Sequence, residues 1–145
     1  MKTIVYVGCA LTHASNQFKK DVADVKEILR QDADIEILEF VGLTGGTNES
    51  VYHHDIHECV AKCDIFVAIV DHPSLGLGYE AGTAVEKHGK PTLAVAHKDA
   101  LVTRLILGVQ HENYSFARYS SMVEEVPELV QKFIAAKTKK PAEVT

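Results

Sequence analysis

The chain of 145 residues reads as a single doubly wound α/β domain, a five-stranded parallel sheet with helices on both faces. Three observations predict this. Short apolar runs rich in β-branched residues alternate with stretches of helical period along the chain, the pattern of successive strand–helix–strand units. The central run Ile65-Phe66-Val67-Ala68-Ile69-Val70 is apolar without alternation, as a strand covered on both faces must be. Directly after it stands the glycine-rich stretch Asp71 to Gly82, where such sheets present backbone N–H groups to ligands at the carboxyl ends of their strands. Together these describe a flavodoxin/Rossmann-like arrangement.

The elements follow in order. Thr3 to Gly8 is a first strand ending in glycine. Ser15 to Arg30 is an amphipathic helix, with Phe18, Val22, Val25 and Leu29 on one face and lysines and aspartates elsewhere. Asp34 to Phe40 alternates and reads as the second strand. Gly42 to Glu49 is a loop, and Ser50 to Lys62 a helix with Ser50 as its N-cap. Asp64 to Val70 is the third strand. Ala81 to His88 is the next helix, closed by Gly89-Lys90. Pro91 to His97 is the fourth strand, Leu101 to Leu107 a short apolar turn or helix, and Tyr114 to Tyr119 the fifth strand. Met122 to Lys137 closes the domain, with Val126, Leu129, Val130 and Phe133 inward. The domain is therefore placed at residues 1–137, with 138–145 a Lys-rich flexible tail.

Composition narrows the class of function. With 46% hydrophobic and 24% charged residues the chain is an ordinary globular one. No apolar run approaches a membrane span, and no signal-peptide pattern opens it, so a cytoplasmic location is expected. A formal charge of -5 argues against a nucleic-acid polymer as partner. Cys9, Cys59 and Cys63 are odd in number and read as free thiols in a reducing compartment. The stretch His53-His54-Asp55-Ile56-His57-Glu58-Cys59 holds ligand-type residues, but no second cluster at finger-like spacing accompanies it. Neither a metal nor a cofactor is expected.

The chemistry concentrates in Asp71-His72-Pro73-Ser74-Leu75-Gly76-Leu77-Gly78-Tyr79-Glu80. With a helix read from Ala81, Glu80 falls in the first helical turn, where the dipole favours its charged form. An ionised carboxylate beside a sugar- or anion-binding loop suggests a nucleophile more than a proton donor. The loops after strands one and three should face one crevice.

These residues carry a resemblance. Asp64-Ile65-Phe66-Val67-Ala68, then Pro73 to Gly82, then Lys90-Pro91 is similar to the nucleoside 2-deoxyribosyltransferase superfamily, and more closely to its 2'-deoxynucleoside 5'-monophosphate N-hydrolases. The likeness spans roughly residues 3–133 and is sharp from Asp55 to Pro91. It implies cleavage of the base–sugar bond, with Glu80 as nucleophile on the anomeric carbon and water or a second base resolving the glycosyl-enzyme. It implies that Asp55 is the second acid. Here the Asp55 to Asp64 interval is one residue longer than the family's spacing, so a neighbour such as Asp64 or His54 is the other choice. Tyr6 matches the hydrolases' strand-one tyrosine; it either lines the site or is a buried strand tyrosine.

Ser74 stands where the transferases carry a carboxylate that grips a free 5'-hydroxyl. A serine there suits a phosphate, which a carboxylate would repel; the other reading is a plain turn serine. Gly8, Gly76 and Gly78 would offer backbone N–H groups. Against this, the hydrolases' Gly-Ser-Ile-Arg is here Gly8-Cys9-Ala10-Leu11-Thr12, without the arginine. Thr103 and Arg104 lie where the family reaches a neighbouring subunit's phosphate, and Arg104 either replaces the lost cation or is a solvated helix residue. Leu11, Leu77 and Val41 are candidates to line the base. The leading expectation is a hydrolase of deoxynucleoside monophosphates. The alternatives are a deoxyribosyltransferase, a ribonucleotide (CMP-type) N-glycosidase, and a nucleotide-binding module without chemistry. The partner is a small nucleoside or nucleotide, and a homodimer or larger homo-oligomer is expected, with Leu101 to Gly108 at its interface.

Overall fold

In the computed structural model, which describes residues 1–39 and 46–138, five parallel strands form one sheet in the order β2-β1-β3-β4-β5. They are β1 (Thr3–Cys9), β2 (Ile35–Leu38), β3 (Ile65–Ile69), β4 (Thr92–His97) and β5 (Tyr114–Tyr119). Between them run α1 (Asn16–Arg30), α2 (Asn48–Tyr52), α3 (Leu75–Gly82) and α4 (Arg104–Leu107), and α5 (Met122–Thr138) ends the described chain. The expected doubly wound α/β fold is the observed one. The chain turns left to β2 and right to β3, so the loops leaving β1 and β3 part from each other at the carboxyl edge and open a crevice.

The two faces have separate cores. On one, Phe18, Val22, Val25 and Leu29 of α1 meet Val126, Val130 and Phe133 of α5 over Val5, Val7 and Val67. On the other, Ile56, Val60, Leu77, Ala81 and Ala84 cover Tyr6, Phe66, Ala68 and Ala94. Each fully buried aliphatic side chain contributes roughly 1.5–3 kcal/mol. The helix stripe on α1 is the one its period predicts. Leu129 is half-buried and packs against the core's edge.

Two helix starts differ from expectation. α2 is capped by Thr47, whose hydroxyl accepts from Ser50 N–H at 3.1 Å, so Ser50 lies inside the helix. α3 begins at Leu75, six residues before the expected Ala81, with Ser74 as N-cap accepting from Leu77 N–H at 3.1 Å. Gly76 and Gly78 were read as a turn; a serine cap and the bond from Gly78 N–H to Ser74 O outweigh their low helix propensity. Both helices then change winding. α2 continues as a π-helix, His53–Val60, and α3 as a π-helix, Thr83–Lys87, with i→i+5 bonds from Ala61 N–H to Ile56 O and from His88 N–H to Thr83 O. Gly89 at φ +59 ends the second, as its position predicts.

The expected strand end at Phe40, the loop glycines at 42 and 45, Val41 and the tail beyond Thr138 lie outside the described residues. No helix among those described is long and apolar enough to cross a membrane.

Candidate active site

Glu80 of α3, Asp55 of the first π-helix and Tyr6 of β1 come together under the carboxyl edge of the sheet. Tyr6 is 2% and Glu80 6% exposed. The Tyr6 O–H donates to Asp55 Oδ1 at 2.9 Å, and the Glu80 carboxyl interacts electrostatically with both. Glu80 Oε2 is buried without a hydrogen-bond partner among the described residues. A buried, underbonded carboxyl oxygen is costly, and its place in a cavity makes Glu80 a candidate reactive group.

The π winding resolves the spacing of Asp55. An i→i+5 turn takes up one residue more than an α turn, which accommodates the longer interval to Asp64 and keeps Asp55 against Tyr6. The two alternatives fall elsewhere. Asp64 sits at the amino end of β3 and accepts from Ile4 N–H at 2.8 Å. His54 faces Cys59, with Nδ1 3.9 Å from its Sγ.

The ionisation of Glu80 differs from expectation. Because α3 starts at Leu75, Glu80 is in its second turn, beyond the part of the helix where the dipole acts strongly. Burial, then the hydrogen bond and charge of Asp55, push the Glu80 carboxyl up to about 9, against a smaller opposing pull from Tyr6. The Glu80 carboxyl therefore favours its protonated form at neutral pH. Burial and the same two carboxyl groups raise the Tyr6 phenol as well.

A cavity of about 230 Å³ opens on this cluster, lined by Tyr6, Gly8, Cys9, Leu11 and Glu80 together with Lys19, Lys26, Arg30 and Glu39. Gly8 is required here: a Cβ would stand 3.0 Å from Leu77 Cδ1 and 3.2 Å from the Phe66 ring. A second cavity of about 570 Å³ brings Ser74, Gly76 and Thr103 together with Thr12 and His13. Gly78 lines a third, with Leu77, Leu101, Thr103 and Leu105. Of the three apolar candidates for the base, Leu11 borders Glu80's cavity, Leu77 is buried in the core beneath α3, and Val41 is outside the described residues. Arg104 is exposed at the start of α4 and borders none of these cavities. Asp71, in the same motif, ties strands together: Oδ2 accepts from His97 N–H and from the Tyr119 hydroxyl.

The lysines and arginine of α1 were missed by sequence reasoning. Their signal was present: Lys19, Lys26 and Arg30 are seven and four apart, on a strip beside the buried stripe. Exposed aromatics were missed too. Tyr52 packs against Tyr79 and His57 at ring separations of 6.4 and 5.6 Å. His53 and His57 do share a face, 5.1 Å apart.

No family model matches the chain. In sequence the chain is 34% identical over 87 residues to a Thermofilum pendens protein named "Putative 2'-deoxynucleoside 5'-phosphate N-hydrolase 1". That match covers 59% of this chain and 59% of the relative, so it spans about three-fifths of the relative's length. In structure the chain matches the Clostridium botulinum CMP N-glycosidase BcmB with a TM-score of 0.67 at 20% identity, over 89% of this chain and 99% of that one. The chain is thus similar in sequence to a protein named for the N-hydrolases that its motifs resemble, and it has the fold of a nucleotide N-glycosidase.

Proposed function

We propose that the protein is an N-glycosidase that hydrolyses the base–sugar bond of 2'-deoxynucleoside 5'-monophosphates, with Glu80 as nucleophile. The observation that carries this is the buried Glu80–Asp55–Tyr6 cluster at the edge where a doubly wound sheet binds ligands. A Glu80 carboxyl that holds its proton beside Asp55 supplies the nucleophilic oxygen and the proton that retaining glycoside cleavage needs. As the bond from the anomeric carbon to the base nitrogen breaks, its electron pair leaves with the base. Glu80 oxygen bonds to that carbon, and the proton it held passes through Asp55 to the base. Water then attacks the glycosyl ester, the sugar keeps the hydroxyl, and the released proton restores the pair. Tyr6 orients Asp55 throughout.

The phosphate side supports a nucleotide. Ser74's hydroxyl spends one lone pair on Leu77 N–H and keeps its own proton to donate. Backbone N–H groups at the start of α3, at Leu75 and Gly76, point where an anion is favoured. Thr12 and Thr103 line the same cavity.

A second copy of the chain completes this side in our reading. Among the described residues, and apart from Met1, the exposed large hydrophobic residues all lie between Tyr52 and Leu107: Tyr52, Leu75, Tyr79, Leu101, Leu105 and Leu107. Leu101 is 94% and Leu105 78% exposed. Such a surface next to a ligand cavity is an interface, and self-association places a partner's Thr103 and Arg104 toward the phosphate.

The test is a panel of nucleotides and nucleosides (dCMP, CMP, dIMP, dAMP and deoxyinosine), each with and without an acceptor base, followed by chromatography of released base. Release from a deoxynucleotide without acceptor is the expected result. Turnover only of nucleosides with acceptor would establish a transferase, and preference for CMP over dCMP a ribonucleotide enzyme.

A further inference from the structure

We propose that Lys26 makes the cavity beside Glu80 selective for bases carrying a ring carbonyl, the oxopyrimidines and 6-oxopurines, over adenine. This rests on the N-glycosidase reading above and adds the class of base. The base hangs on the carbon that Glu80 attacks, so the cavity that Glu80 lines receives it. Leu11 and Lys26 line the same cavity. The Lys26 side chain is 17% exposed, so most of its length is inside the wall.

Its charge is poorly matched there. Among the described residues the one carboxylate paired with it, Glu39, is 3.7 Å away, 47% exposed, and also bound by Arg30. A half-buried ammonium with a shared, distant counterion gains from a further acceptor. Burial already pushes the Lys26 ammonium below its ordinary pKa.

Chemistry explains why that acceptor is a carbonyl. When the glycosidic bond breaks, its electron pair enters the base and spreads onto the exocyclic oxygen. An ammonium hydrogen-bonded to that oxygen keeps its proton, and the contact strengthens as charge grows, so it acts more on the transition state than on the bound substrate. Adenine presents an amino donor where hypoxanthine presents an oxygen, and a donor facing a donor leaves both unpaired.

The experiment measures binding of free hypoxanthine and adenine, an isosteric pair, by calorimetry to the wild type, Lys26→Met and Lys26→Arg, with thermal melting as the folding control. Wild type should prefer hypoxanthine by about tenfold or more. Lys26→Met should bring the ratio near one, and Lys26→Arg should keep it. Equal or undetectable binding of the two bases by the wild type, or a preference unchanged in folded Lys26→Met, overturns the proposal. If Lys26→Met does not fold, the wild-type and Lys26→Arg ratios decide. Turnover of dIMP and dAMP separates the two readings. Base preference without cleavage of either nucleotide leaves the pocket standing and removes the hydrolase. Equal cleavage of both, unaffected in Lys26→Met, does the reverse.

Discussion

The acidic side of the site and its phosphate side are built on different terms. Glu80, Asp55 and Tyr6 come from three elements of a single chain, with Glu80 and Tyr6 buried and the Tyr6 hydroxyl bonded to a half-buried Asp55. Ser74, Gly76 and Thr103 sit in a wider, open cavity beside the exposed Leu75, Leu101 and Leu105. Bond-breaking groups need a low dielectric and fixed geometry, and one tightly packed core supplies both. A charged phosphate enters from water, so its site stays open until something covers it. In our reading that cover is a second copy.

The largest expected effect breaks the acidic side alone. Glu80→Gln keeps the shape and the neutral state of the side chain, so the protein should fold, while base release falls by several orders of magnitude. Near-normal release from folded Glu80→Gln would remove the nucleophile.

Breaking the open side should cost less. Leu101→Asp combined with Leu105→Asp puts charge on the two leucines with least cover, each worth roughly 1–3 kcal/mol if buried at an interface. Light scattering should show a monomer, and kcat/KM for the nucleotide should fall about tenfold or more while the melting of the monomer fold is kept. A monomer with full nucleotide turnover would mean that one chain holds the phosphate by itself.

Ser74→Asp sharpens the comparison by changing charge without changing structure. Aspartate is as good an N-cap as serine, so α3 should keep its start. Repulsion should then lower kcat/KM for the nucleotide by about tenfold or more and spare the nucleoside. An equal loss for both substrates would assign Ser74 to the helix cap only.

A further effect concerns pH and is read on stability rather than turnover. Glu80 holds its proton to about pH 9 in the folded chain, against an ordinary value of 4.5. Between those values the unfolded chain has released a proton that the folded one keeps, so stability falls as pH rises. The contribution is complete below the lower value and gone above the upper. Glu80→Gln has no such proton, so its melting temperature relative to wild type should climb between about pH 5 and pH 9. Parallel curves would show that Glu80 is ionised in the fold.

Sequence alone determined the architecture and singled out the candidate reacting groups. The unbroken apolar run at β3, the stripe Phe18-Val22-Val25-Leu29 and the alternation of the two periods dictate a covered parallel sheet, because burial depends on pattern. The glycine-rich block announced Glu80, and Asp55 and Tyr6 followed from its resemblance to a family. Tertiary structure alone decided how these groups behave. Local signals placed the helix start at Ala81, whereas the Ser74 cap and the packing of Gly8 on Leu77 moved it to Leu75. That shift took Glu80 out of reach of the dipole and left burial and Asp55 to set its proton. The π turns that carry Asp55 to Tyr6, and the meeting of Lys26 with Glu80's cavity, depend on contacts between residues far apart in the chain. Local pattern does not encode such contacts, because desolvation and charge coupling exist only once the chain has closed around the site.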